Sequence, residues 1–121
     1  MSQRDEILSV LTGLHNENPD LVNLGVVSLD GLPIAAVLSE GMEEDRTAAL
    51  SATILSLGER ATEELKKGKL EQAYVKGEDG YVIVTGIKNI AALYVTTTKS
   101  AKLGLVMLSI KKGIEKLLQI L

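Results

Sequence analysis

Apolar positions recur along this chain in two rhythms, one helical and one alternating. From about Ser2 to Asn16, Ile7, Val10, Leu11 and Leu14 follow i, i+3, i+4, i+7 spacing. That period predicts a helix with one apolar stripe. Ser2, three residues before Asp5, resembles a capping box with Asp in place of Glu. Asn16 to Asp20, with Pro19, ends the helix. Leu21 to Leu29 and Leu32 to Leu38 read as strands, and Asp30-Gly31 between them is a two-residue hairpin signal. Pro33 has no N–H to give to a ladder, which predicts an edge position for the second strand.

A longer helix is expected from about Glu43 to Lys67. Glu43, Glu44 and Asp45 oppose its positive end, Lys66 and Lys67 its negative end, and Gly68 suits the residue after the cap. Three more strands follow, at about Lys69 to Lys76, Tyr81 to Gly86 and Asn89 to Thr97. Tyr81 to Thr85 is apolar almost throughout, which predicts burial on both faces. The strand bearing Glu71, Gln72, Tyr74 and Lys76 is the most polar and suits a sheet edge. A last helix from about Ser100 to Leu121 carries Leu103, Val106, Met107, Ile110, Ile114, Leu117 and Leu121 as its inner stripe. Short turns join antiparallel neighbours. The expected fold is therefore α+β, with a five-stranded antiparallel sheet and helix order α-β-β-α-β-β-β-α. The first and third helices cover one face and the second helix the other, in one domain over residues 1–121.

The second helix has two faces that could be buried. Leu50, Ile54, Leu57, Ala61 and Leu65 form one, expected to lie on the sheet. Ala48, Ser51, Ala52, Leu55 and Thr62 form a smaller one, expected to meet the same helix of a second copy. A homodimer interface of Ala48, Ser51, Ala52, Leu55, Thr62, Gln72 and Tyr74 is the resulting expectation. It would also cover the polar sheet edge. The remaining face offers Arg46, Ala49, Thr53, Ser56 and Arg60 as a partner-binding surface.

Composition narrows the function. The chain has 121 residues, 45% hydrophobic, with three Tyr, no Phe and no Trp, so its core is aliphatic. With no Cys there is no disulfide, thiol nucleophile or Cys-bound metal. Thirteen basic against sixteen acidic residues give a net charge of −3, unlike the basic face of a nucleic-acid binder. Too few aromatics remain for base stacking. No apolar run reaches spanning length, so no membrane insertion is expected. The polar start of the chain lacks a signal-peptide pattern, which points to the cytoplasm. No phosphate-binding Gly-rich loop occurs; Thr98-Lys99-Ser100 lacks the glycines. His15, the one imidazole, is expected to be an exposed surface residue without a triad around it. Glu43-Glu44-Asp45 is read as a helix-dipole partner rather than a cation site, and Lys66-Lys67-Gly68-Lys69 as a helix-end charge cluster. No catalytic residue, cofactor or metal site is expected.

Leu24-Gly25-Val26-Val27-Ser28-Leu29-Asp30-Gly31-Leu32-Pro33-Ile34-Ala35 resembles the first hairpin of the Roadblock/dynein light-chain family, through its Ser28-x-Asp30-Gly31-x-Pro33 core. The Ala-rich second helix, Gly80-Tyr81-Val82-Ile83-Val84, Leu93-Tyr94-Val95 and the closing helix with Gly104 and Leu105 extend the resemblance over nearly the whole chain. It is nearest the short prokaryotic, MglB-like type. The resemblance implies a non-enzymatic dimeric scaffold whose polar third strand and second helices pair across the dimer. It also implies regulation of a small Ras-like GTPase bound over the paired second helices. The alternatives are a passive scaffold subunit of a motor or membrane-associated complex and, with less support from an aliphatic interior, a small-ligand sensor.

Overall fold

A computed structural model describes all 121 residues. In chain order the elements are α1 (Gln3–Glu17), β1 (Leu21–Ser28), β2 (Pro33–Val37), α2 (Glu44–Glu64), β3 (Ala73–Gly77), β4 (Gly80–Ile87), β5 (Ala91–Thr97) and α3 (Leu103–Leu118). The strands form one antiparallel sheet in the order β2-β1-β5-β4-β3. Both edge expectations hold, for the strand begun by Pro33 and for the polar strand holding Tyr74.

Alternation along the strands divides the core into two layers. Leu24 and Val26, Ile83 and Ile87, and Ala91, Leu93 and Val95 point to one side, where Ile7 and Leu11 of α1 and Val106, Ile110 and Leu117 of α3 cover them. Val27, Val84, Ala92 and Tyr94 point to the other side, under Ala48 and Leu55 of α2. The first and third helices thus share one face and the second takes the other, as expected. Ser2 caps α1, its hydroxyl accepting from the Asp5 N–H at 3.1 Å.

Four local expectations are corrected. The β1–β2 connection is a four-residue loop, Leu29 to Leu32, not a two-residue hairpin. Ser28 closes it: its N–H donates to the Leu32 carbonyl at 2.9 Å, and its hydroxyl accepts from the Leu32 N–H at 3.0 Å. Gly31 takes a φ of 89° there, and the ladder bulges between Val26 and Val27. β4 is buried on both faces only at Ile83 and Val84, with Tyr81, Val82 and Thr85 half-buried, because it lies one place from the edge; β5 at the centre of the sheet, with Ala91 to Val95 all buried, and β1 beside it are buried more completely. α2 stops at Glu64, ahead of the lysines. Lys66, at φ 59°, takes the left-handed position assigned to Gly68. The Lys67 N–H reaches the Thr62 carbonyl at 2.7 Å, and the Lys66 N–H reaches Glu63 at 3.2 Å, a Schellman closure. α3 starts at Leu103, after a turn in which the Ala101 N–H bonds the Thr98 carbonyl.

Tyr94 fills the gap between sheet and α2. A Cβ on Gly25, its partner across the β1–β5 ladder, would overlap the ring at Cζ and Oη. The Tyr94 hydroxyl is buried and has no hydrogen-bond partner. Burial first, and the nearby Glu44 carboxylate second, push its pKa up to about 12 from 10.0. The unfolded chain releases this proton near pH 10, whereas the folded chain keeps it to about pH 12. Between those values the folded state holds more protons, so stability falls as pH rises, by up to about 1.4 kcal/mol per unit. Below that window the group contributes no pH dependence. Tyr94→Phe is expected to leave neutral-pH stability unchanged or raised by up to about 1 kcal/mol, because it removes an unpaired buried hydroxyl. It should also be the more stable of the two above pH ~10. Urea unfolding of both proteins across that range checks this.

Candidate functional site

The face of α2 turned to the sheet is the reverse of the one its sequence predicts. Ala48, Ser51 and Leu55 are buried, and Ala52 is half-buried beside the β1–β2 loop. Leu50, Leu57 and Leu65 are 57, 65 and 71% exposed. The reason lies in the sheet. Tyr94 stands up from β5 through the space left by Gly25, in one cluster with Ala48 and Leu55 of the helix above it. Ala48, Ser51 and Leu55 are buried inside the protomer and are not available to a second copy, while Ala52 is half-buried at the cleft beside the hairpin loop.

Two clefts flank α2. On the β3 side, Ile54, Leu57, Gly58, Ala61 and Thr62 face Leu70, Gln72, Ala73, Tyr74 and Val75 across a largely apolar groove. Gly58 permits the approach: a Cβ there would sit 3.2 Å from both Ala73 Cβ and Leu70 Cδ2. Thr62, Gln72 and Tyr74, expected at the interface, all border this groove. Gln72 donates from Nε2 to Thr85 Oγ1 at 3.0 Å, and the Tyr74 ring stacks edge-on against Tyr81 at 6.3 Å. Beyond them lies the β3 edge, unpaired on its outer side, with Tyr74 and Val75 both exposed.

On the opposite side, four of the five partner-binding candidates come together. Ala49, Thr53, Ser56 and Arg60 line a shallow cleft with Ala52 and with Leu29, Asp30 and Gly31 of the hairpin loop, and Leu57, at the crest of α2, borders both clefts. The loop rests on the helix there, Gly31 against Ala49 and Ala52. Arg46 is exposed one turn N-terminal of Ala49, outside the cleft. Arg60 pairs with Glu64 at 3.4 Å; both side chains are exposed, so the pair contributes little stability. Sequence reasoning missed the loop's share of this surface. The signal for it was present in the exposed Leu29 and Leu32 on either side of Asp30-Gly31.

His15 is half-buried rather than exposed. Its Nδ1 donates to the Leu21 carbonyl at 2.6 Å, tying the end of α1 to the start of β1. Asn23, buried at the other end of the same bend, joins β1 to Thr96 and to the Ser39 N–H, at 2.8 and 2.7 Å. This fixes the segment leading into α2. Both polar groups serve the scaffold.

The backbone arrangement matches that of MglB from Myxococcus xanthus, with a TM-score of 0.88 at 19% identity over 99% of this chain and 90% of that one. A Roadblock/LC7 domain from Streptomyces avermitilis superposes with a TM-score of 0.81 at 20% identity, covering 88% and 90% of the two chains. In sequence, the Methanocaldococcus jannaschii protein MJ1340 is 30% identical over 92 residues, 76% of this chain and 80% of its own length. The Roadblock/LC7 domain model matches residues 9–97, from within α1 to the last residue of β5, and so includes both flanks of α2 and the hairpin loop. The chain belongs to the Roadblock/LC7 domain family.

Proposed function

We propose that this protein is a non-enzymatic homodimeric binding module that regulates a small Ras-like GTPase. The carrying observation is the outward line of Leu50, Leu57, Ala61 and Leu65, with Ile54 half-buried beneath it, beside the open β3 edge. A protomer that buries Ala48 and Ser51 while leaving three leucines in water gains its missing apolar burial by association. Pairing β3 with β3 of a second copy lengthens the sheet and sets two α2 stripes face to face across a two-fold axis. Thr62, Gln72 and Tyr74 keep their place in that interface. Leu50, Ile54, Leu57, Ala61 and Leu65 replace the residues lost to the core.

The hairpin-side flank of α2 remains free in such a dimer. Arg46, Ala49, Thr53, Ser56 and Arg60, joined by Leu29 and Asp30, form the GTPase surface. Small residues let a partner approach the helix backbone, and the arginines orient it and speed encounter. The protein's role is to position the GTPase; neither arginine is assigned a catalytic part. Arg46→Glu combined with Arg60→Glu should weaken binding of a GTP-analogue-loaded Ras-like GTPase by about tenfold or more. The dimer should be untouched, because both side chains lie off its stripe. Titration calorimetry with sedimentation as control decides this. Unchanged affinity removes the GTPase from this flank. Binding without any change in GTP turnover would identify a scaffold instead of a regulator.

A further inference from the structure

Charge is divided unevenly along this chain. Residues 99–121 carry five lysines against one glutamate, net +4, while residues 1–98 are net −7. The lysines surround the only large apolar side chains exposed on α3. Leu105 and Leu108 are 56 and 52% exposed. At helical spacing they share the outer face with Lys112 and Lys116, and Lys102 stands one turn ahead. The inner stripe of Val106, Ile110, Gly113 and Leu117 is buried, so α3 gains nothing within the protomer from these leucines. α1 runs antiparallel beside it, with Leu14 against Gly113 and Gln3 Nε2 donating to the Ile120 carbonyl at 3.1 Å. The outward line of α1 is Asp5, Ser9, Thr12 and Asn16, and Glu6 and Glu17 are exposed between that line and the side of α1 that meets α3, so these two and Glu115 are the acids flanking this face.

We propose that the outer face of α3 docks onto an anionic lipid bilayer. Two adjacent leucines on a convex helix suit shallow entry among headgroups, where lysine stems lie along the surface and ammonium groups meet lipid phosphates and carboxylates. Charge complementarity selects anionic lipid, and no helix is long and apolar enough to cross a membrane, so attachment is peripheral. The dimer reading adds avidity. A two-fold axis normal to a sheet continued through β3 puts both α3 helices on one side and both α2 helices on the other. The bilayer and the α2 partner then occupy opposite faces.

Co-sedimentation with phosphatidylserine-containing vesicles, against pure phosphatidylcholine vesicles, tests this. The 121-residue protein should bind the first and not the second, and high salt should release it. Lys112→Glu with Lys116→Glu, and separately Leu105→Ser with Leu108→Ser, should each cut binding about tenfold or more. Both pairs are exposed, so circular dichroism should be unchanged. Lys66→Glu with Lys67→Glu makes the same charge change at the end of α2 and should retain most of the binding. Equal binding to both vesicles, no binding, or equal loss in the Lys66/Lys67 variant would each overturn the proposal. A wild-type species larger than a dimer that both α3 variants dissolve without vesicles would make this face a contact between copies, and would overturn it too. A Leu57→Arg protein separates this idea from the dimer reading, since each protomer's α3 should keep its lipid preference whatever the oligomeric state.

Discussion

Leu57→Arg should convert a dimer of about twice 12.9 kDa into a folded monomer at micromolar concentration. Leu57 is exposed in the protomer and stands midway along the outward stripe, with Ile54 and Ala61 within one turn on either side. Its replacement disturbs no intrachain packing. Across a two-fold axis the arginine would face its own copy, so two like charges would be placed in a desolvated contact. Covering one leucine contributes about 1.5–3 kcal/mol, and stranding a charge costs several more. Dissociation should therefore rise by more than about 100-fold, enough to empty the dimer. Equilibrium sedimentation measures the mass, and thermal unfolding verifies that the monomer is folded. The contrasting substitution is Ala48→Arg, which should unfold the chain, because Ala48 is fully buried against the sheet. A Leu57→Arg protein that remains dimeric would move the interface away from this stripe.

Gly25→Ala should be among the most destabilising single-methyl additions available in this chain. The new Cβ would coincide with the Tyr94 ring. Neither partner can yield. Gly25 is held in the ladder between β2 and β5, and Tyr94 is wedged beneath Ala48 and Leu55. Overpacking of this kind costs about 3 kcal/mol, on the order of 10 °C in melting temperature. Tyr94→Ala alone should cost a similar amount by leaving a cavity. Combined, the two changes should cost less than their sum, with a coupling of about 1 kcal/mol or more, because shortening the tyrosine vacates the space the alanine needs. Denaturant titration of the four proteins closes the cycle. Strict additivity would show that the ring and the glycine do not compete for one volume.

The same glycine–tyrosine pair explains the one large misreading of the sequence. On a helical wheel the Leu50 stripe is the more apolar of the two α2 faces, and burial of apolar area favours it for the sheet. What the wheel omits is the height of the surface beneath. Tyr94 stands proud of β5 in one cluster with Ala48 and Leu55, and Ala48, Ser51 and Leu55 lie under the helix. Leu50, Leu57 and Leu65 turn outward, and most of the face taken for the dimer becomes core. The swap strengthens the case for association, because large apolar side chains now lie beside the open edge strand.

Local pattern was sufficient wherever a short stretch of chain answers its own hydrogen bonds. The α-β-β-α-β-β-β-α order, the Ser2 cap, the Pro33 edge and the polar β3 edge all follow from nearest-neighbour chemistry. The Ser28-x-Asp30-Gly31-x-Pro33 core carried the resemblance to the family. Tertiary structure alone decided the central place of β5, the hairpin loop beside Arg60, and the face of α2 turned to the sheet, because each depends on atoms far apart in sequence competing for the same volume. The closure of α2 by Lys66 and the capture of His15 by the Leu21 carbonyl are local hydrogen bonds, within six residues, that hydrophobic periodicity does not encode.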